Sequence, residues 1–91
     1  MTEGVWTHGG DTGFEAWVGE RSRKVIVTRE AIEDHLRLDP VAAAAMSAED
    51  RRRFVIDNLA IVIAAANRKT DPADQAETVM IRAGEIQQPP Q

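Results

Sequence analysis

The stretch FEAWVGERSRKVIVTREAIEDHL, residues 14–36, contains the change of hydrophobic period that decides the fold. Its first residues alternate between apolar and polar, with Phe14, Ala16 and Val18 on one side, which is typical of a half-buried strand. A short polar turn, Gly19 to Ser22, separates this strand from the β-branched run in RKVIVT. The two runs therefore predict an antiparallel hairpin.

Thr28 marks the point where the period changes from that of a strand to that of a helix. Its hydroxyl can accept a hydrogen bond from a free backbone amide of a first helical turn. Apolar or semi-polar residues then recur at helical spacing, at Ala31, Ile32, His35 and Leu36. A hairpin that leads directly into a helix indicates a small α+β domain.

Four ionisable side chains crowd into the start of this helix, namely Glu30, Glu33, Asp34 and His35. A metal site or an acid–base site would require them to converge on one point. On a helical wheel the three acids point outward, and Glu33 is spaced to pair with Arg37 at i+4. We therefore predict a solvated helix start and no metal site here.

Two further helices and a closing strand are predicted after residue 38. Asp39 followed by Pro40 is typical of a helix start, and it opens a short helix through VAAAAM. Ser47 and Asp50 resemble a capping box, which opens one long helix from about Ala48 to about Arg68. The segment TVMIRAGEI then resumes as a strand with Val79 and Ile81 on one face.

The predicted fold is one α+β domain over residues 1–86, followed by a disordered tail, QQPPQ, over residues 87–91. Its small antiparallel sheet contains the N-terminal hairpin, or a meander if Val5 to Thr7 adds a strand, plus the C-terminal strand. Two to three helices pack against this sheet.

The long helix is the most apolar part of the chain. Its predicted buried stripe consists of Phe54, Val55, Leu59, Val62 and Ala66, and its predicted water-facing residues are Arg51, Arg52 and Asp57. Leu59 to Ala66 are apolar without interruption, so one sheet cannot cover every side of this segment. Ile61 and Ile63, together with Trp17 on the sheet, are therefore the predicted interaction surface.

Composition excludes several classes of function. The chain has 91 residues, no cysteine and a formal net charge of -4. The lack of cysteine removes thiol catalysis and thiolate metal sites, and the acidic balance disfavours direct nucleic-acid binding. No run approaches the ~20 apolar residues that span a bilayer, and no signal peptide is visible, so we expect a cytoplasmic protein without a membrane partner.

A catalytic arrangement is hard to assemble from the residues present. The only serines are Ser22, in a turn, and Ser47, in a cap, and neither has a histidine nearby in the sequence. His8 precedes Gly9 and Gly10, but these run into a strand and not into the helix start that a phosphate loop needs. Trp6 and Trp17 could stack on a ligand, although packing is the commoner use of aromatic residues in a small sheet.

Residues 14–36, the long helix and ETVMIRAGEI together resemble a family of short bacterial proteins known as a domain of unknown function. The shared pattern is V-[ST]-x-E-A-[IL]-x-D-x-[FL] at a strand-to-helix junction. Its positions here are Val27, Thr28, Glu30, Ala31, Ile32, Asp34 and Leu36. The resemblance spans about residues 12–86 and implies a hairpin, a longer second helix and a closing strand. It implies no catalytic residue and no cofactor.

These observations favour a non-enzymatic protein-interaction module, which would be a homodimer or a regulator or inhibitor of a larger protein. An inhibitor of nucleic-acid-binding machinery, of the anti-CRISPR type encoded by mobile elements, is one alternative. A ligand-binding domain or enzyme that uses His8, His35 and the nearby acids is the other.

Overall fold

A computed structural model describes residues 4–71 and 73–86 of the chain and confirms the α+β fold class. The order of elements is β1 (Trp6–His8), β2 (Asp11–Val18), β3 (Arg21–Val27), α1 (Arg29–Leu36), α2 (Pro40–Ala45), α3 (Ala48–Asp57), α4 (Leu59–Lys69) and β4 (Thr78–Ile81). The predicted hairpin, the third strand of the meander and the closing strand are all present. The tail predicted for residues 87–91 lies outside the described residues.

The four strands form one sheet in the order β1-β2-β3-β4. The pairs β1–β2 and β2–β3 are antiparallel, but β4 runs parallel to β3, which corrects the expectation of a fully antiparallel sheet. The reason is the connection, because α1 to α4 carry the chain back to the end of the sheet where β3 begins. A parallel pair requires such a crossover.

Among residues 4–71 and 73–86, the helices cover one face of the sheet and nothing covers the other. Both α3 and α4 contact β2, and α4 also contacts β4. Between them and the sheet lies the apolar core, formed by Val5, Phe14, Val18, Val25, Val27, Ala31, Ile32, Phe54, Val55, Val62, Ala65, Ala66, Val79, Ile81 and Ile86. Since strand residues alternate, the residues between these core positions on each strand face the uncovered side.

Three predicted helix starts are confirmed. Thr28 Oγ1 accepts a hydrogen bond from the Ala31 amide at 3.1 Å, and Asp39 Oδ1 accepts one from the Ala42 amide at 2.8 Å. Ser47 and Asp50 form both bonds of the capping box, at 3.1 and 3.0 Å. These caps each satisfy amides that an isolated helix end leaves without partners.

The predicted pair between Glu33 and Arg37 is wrong. Arg37 adopts a left-handed backbone with φ 54° at the end of α1, so it no longer continues the helical face that carries Glu33. Glu33 instead pairs with Arg29, one turn earlier, with 2.6 Å between Nε and Oε2.

The predicted single long helix is also wrong, because it is interrupted at Asn58. This residue ends α3 with φ -119° and ψ 25°, and α4 begins at the next residue. The Asn58 side-chain amide donates to the Phe54 carbonyl at 2.8 Å. Asparagine disfavours helix interiors because its side chain competes for backbone groups in this way. The break raises the number of helices in the described residues to four, of which α3 contacts β1 and β2 and α4 contacts β2 and β4.

Two arginines that were predicted to face water are instead buried or half-buried. Arg51 is buried and donates from Nη1 to the Met46 carbonyl at 2.9 Å. Arg52 is half-buried and donates from Nε to the Val5 carbonyl at 3.2 Å. An arginine can bury its aliphatic stem while its guanidinium bonds to carbonyls, and a helical wheel does not reveal this. Leu59, predicted to be buried, is half-buried at the start of α4.

Replacing Thr28 with alanine should lower the free energy of unfolding by about 1 kcal/mol, because the Ala31 amide loses its acceptor. Urea unfolding followed by circular dichroism measures this loss. Thr28→Ser keeps the hydroxyl and is the matched control, which should retain most of the stability. Identical unfolding midpoints for the wild type and Thr28→Ala would contradict a stabilising cap.

Candidate interaction surface: the open face of the sheet

The face of the sheet opposite the helices carries one row of residues that crosses all four strands. Trp6 pairs with Gly13, Gly13 with Ile26, and Ile26 with Met80. We call these four residues the open-face row. The exposed fraction is 36% for Trp6 and 38% for Met80, and Ile26 is half-buried. An aromatic, a branched aliphatic and a thioether side chain are thus aligned beside solvent.

Gly13 is the reason that the row is continuous. A Cβ atom at this position would lie 2.8 Å from Trp6 Cε2 and 2.9 Å from Ile26 Cδ1. The indole and the Ile26 side chain therefore meet over the glycine, which a larger residue would prevent. The Lys24 ammonium lies 6.0 Å from the Trp6 ring centroid, within the range of a cation–π contact.

Two further rows extend the open face toward the β2–β3 turn. The first contains Glu15 paired with Lys24, and the second contains Trp17 paired with Ser22. Trp17 has 68% of its surface exposed, the largest fraction for an aromatic residue in the part of the chain that is described. These two rows therefore add an acid and a base to the apolar side chains of the open face.

Both edges of the sheet are partly covered by side chains. The Lys69 ammonium donates to the Met80 carbonyl on β4 and to Glu85 Oε1, which lies 2.8 Å away. At the other edge, β1 has only three residues, and Arg52 donates to the Val5 carbonyl just before it. Short or covered edge strands disfavour the addition of a further strand. A partner would therefore meet the face of this sheet more readily than its edge.

The contact between Lys69 and Glu85 should make stability depend on pH. The hydrogen bond from Lys69, with a smaller contribution from the Arg82 amide, holds the pKa of Glu85 below its ordinary value of 4.5. A lowered carboxyl pKa stabilises the folded state above the unfolded pKa, and this contribution disappears as the pH falls through the folded pKa.

We therefore expect the wild type to exceed Glu85→Gln in stability above pH 4.5 and to lose that advantage below it. Urea unfolding of both proteins between about pH 7 and pH 3 measures the difference in their free energies of unfolding. This difference reports the contribution of the Glu85 carboxylate. A difference that stays constant, or that grows in acid, would contradict this role of Glu85.

Arg23 is buried although arginine is a residue type expected at the surface. Its exposed fraction is 1%, and its guanidinium donates to the carbonyls of Val18, Asp74 and Ala76 at 3.0, 2.8 and 2.7 Å. These bonds hold the segment before β4 against the β2–β3 hairpin. The signal was available, since Arg23 shares the inward face with Val25 in a period of two.

The predicted interaction residues do not form one surface. Ile61 and Ile63 are half-buried and pack against the core from α4, on the helical side of the sheet. Trp17 lies on the open face. The exposed residues of this part of α4 are Ala60 and Ala64, which offer little apolar area.

The histidines are placed in different layers. His8 is exposed at the end of β1 and pairs with Asp11, on the open face. His35 is half-buried among the helices, with its ring centroid 5.5 Å from that of Phe54 in an edge-to-face contact. Within residues 4–71 and 73–86, no three histidine, aspartate or glutamate side chains are grouped so that they could hold a metal ion.

Two depressions of the described surface bear on whether the protein has a catalytic cleft. One, of about 440 Å³, is lined by charged and polar residues of the β2–β3 hairpin and by Glu77. The other, of about 380 Å³, lies between α1, α2 and the start of α3, and is lined by Leu36, Leu38, Ala42, Ala45, Met46 and Asp50. Neither is lined by a histidine, and Ser22 in the first depression lies among charged residues with no histidine to act as its base, so neither resembles a serine–histidine nucleophilic site.

Comparison with known proteins adds no relative, since no family model, no curated protein and no solved structure matches the chain. The resemblance described from the sequence therefore stays a prediction. In the described part of the chain, no helix is both long enough and apolar enough to cross a membrane.

Proposed function

We propose that this protein is a non-enzymatic protein-docking module and that the open face of its sheet is the docking surface. The observation that supports this most strongly is the exposure of Trp17 on the same face of the sheet as the open-face row. Tryptophan and methionine are enriched at protein interfaces, and tryptophan often contributes most of the binding energy. Exposed tryptophan and methionine on one uncovered sheet face favour a surface that another protein covers.

The arrangement of the polar residues favours binding over catalysis. His8 and His35 belong to different layers, and Ser47 is engaged in the capping box. The contacts of Trp6 with Gly13, Ile26 and Lys24 favour a role in forming the surface over stacking on a small ligand. Since the chain contains no cysteine, we propose the cytoplasm as its compartment.

Site-specific photo-crosslinking in the native cell tests this function. A photoreactive amino acid replaces Trp17 on the open face in one variant and Ala64, an exposed residue of α4, in a matched control. We expect covalent protein adducts from position 17 and few or none from position 64. Adducts from position 64 alone, or none from position 17, would contradict docking on the open face.

A further inference from the structure

The open face is self-complementary about the line between β2 and β3. Across this line the register pairs Gly13 with Ile26, Glu15 with Lys24, and Trp17 with Ser22. Each pair joins a small residue to a large one or an acid to a base. Beyond them, the outer strands place Trp6 on β1 and Met80 on β4, at the two ends of the open-face row.

A two-fold axis along this line would place complementary residues of two copies opposite each other. If a second sheet faces the first across such an axis, β2 of each copy lies over β3 of the other, and β1 lies over β4. Glu15 then faces Lys24 of the second copy, and Trp17 faces Ser22 of the second copy. Trp6 faces Met80 of the second copy, which allows a favourable sulfur–aromatic contact.

A two-fold axis along the open-face row gives a poorer match. It would place each strand over the same strand of the second copy in the opposite direction, so that Glu15 faces Asp11 of the second copy. Like charges placed opposite each other at an interface are unfavourable.

We infer that the occupant of the open face is a second copy of this chain, related by a two-fold axis that runs along the strands between β2 and β3. This inference rests on the proposed function of the open face. The four strands have three, eight, seven and four residues, which at about 3.3 Å per residue and about 4.8 Å between strands give a face of about 350 Å². Two such faces bury about 700 Å², the size of a small and transient interface, so the dimer is weak and reversible.

Charge reversal of the facing pair tests the inference, measured by sedimentation equilibrium of the purified chain up to high micromolar concentration. In Glu15→Lys, lysine 15 would face Lys24 of the second copy, and in Lys24→Glu two acids would face each other. We expect the dissociation constant of each variant's dimer to be at least about ten-fold higher than that of the wild type. In an equimolar mixture every facing pair is again an acid and a base, so the dimer returns.

Two exposed positions of α3 provide matched controls. Asp57→Lys and Arg53→Glu carry the same changes of charge on the helical side of the protein and should leave the dissociation constant unchanged. Circular dichroism of all variants verifies that they are folded, as expected for substitutions at exposed side chains.

The results separate the inference from the proposed function. A wild type that stays monomeric, or a mixture that dissociates like its two components, overturns the dimer. Crosslinking from position 17 to a different protein would then leave the docking function standing. If position 17 yields no adduct of any kind, the proposed function fails as well.

Discussion

Arg23→Met should lower the free energy of unfolding by about 3 kcal/mol, because it leaves the carbonyls of Val18, Asp74 and Ala76 without their donor. Methionine retains most of the apolar stem, so the loss reports mainly the hydrogen bonds of the guanidinium. The segment before β4 would then lose its attachment to the hairpin. Urea unfolding measures the free energy, and hydrogen exchange at Val79 and Ile81 should become faster.

Arg21→Met is the matched control for this prediction. Arg21 lies two residues earlier on the same strand, is exposed, and donates to the Gln75 carbonyl at 3.3 Å. Its replacement should change the free energy of unfolding by no more than about 0.5 kcal/mol. Arg23→Lys should fall between the two, because one ammonium cannot reach three separated carbonyls as a planar guanidinium does. Equal losses at positions 21 and 23 would contradict the anchoring role of Arg23.

Val62→Asp should unfold the protein altogether at 25 °C. Val62 has no exposed surface and packs in the core between α4 and the sheet. A buried carboxylate with no partner costs several kcal/mol, in addition to the lost apolar contacts. A domain of this size is stabilised by only about 5–15 kcal/mol in total, and small domains lie near the lower end. Circular dichroism and thermal unfolding would show the loss of cooperative structure.

Ala60→Asp, two residues earlier on α4, tests whether the unfolding depends on burial of the replaced residue or on interruption of the apolar run. Ala60 belongs to the same uninterrupted apolar run but is exposed, so its carboxylate stays in water. We expect a folded protein with a thermal midpoint close to that of the wild type. If Ala60→Asp also unfolds, or if Val62→Asp folds, the described placement of α4 would be contradicted.

The sequence alone determined the local elements and their order. The alternation at Phe14, Ala16 and Val18 depends on backbone geometry within a single strand, and the caps at Thr28 and Ser47 depend on residues three positions apart. Such signals are local, so no knowledge of the rest of the chain was required. The break at Asn58 was missed because the apolar periodicity continues through it, although the residue itself disfavours a helix interior.

Only the tertiary structure decided the direction of β4, the side of α4 that enters the core and the burial of Arg23. Each depends on how distant segments pack, and two of the three carbonyls that accept hydrogen bonds from Arg23 belong to residues 74 and 76, far along the chain. The open-face row is the clearest case. Trp6, Gly13, Ile26 and Met80 become neighbours through the register of three strand pairings. Register depends on backbone pairing between segments, and shifting one strand by a single residue would turn its side chains to the opposite face.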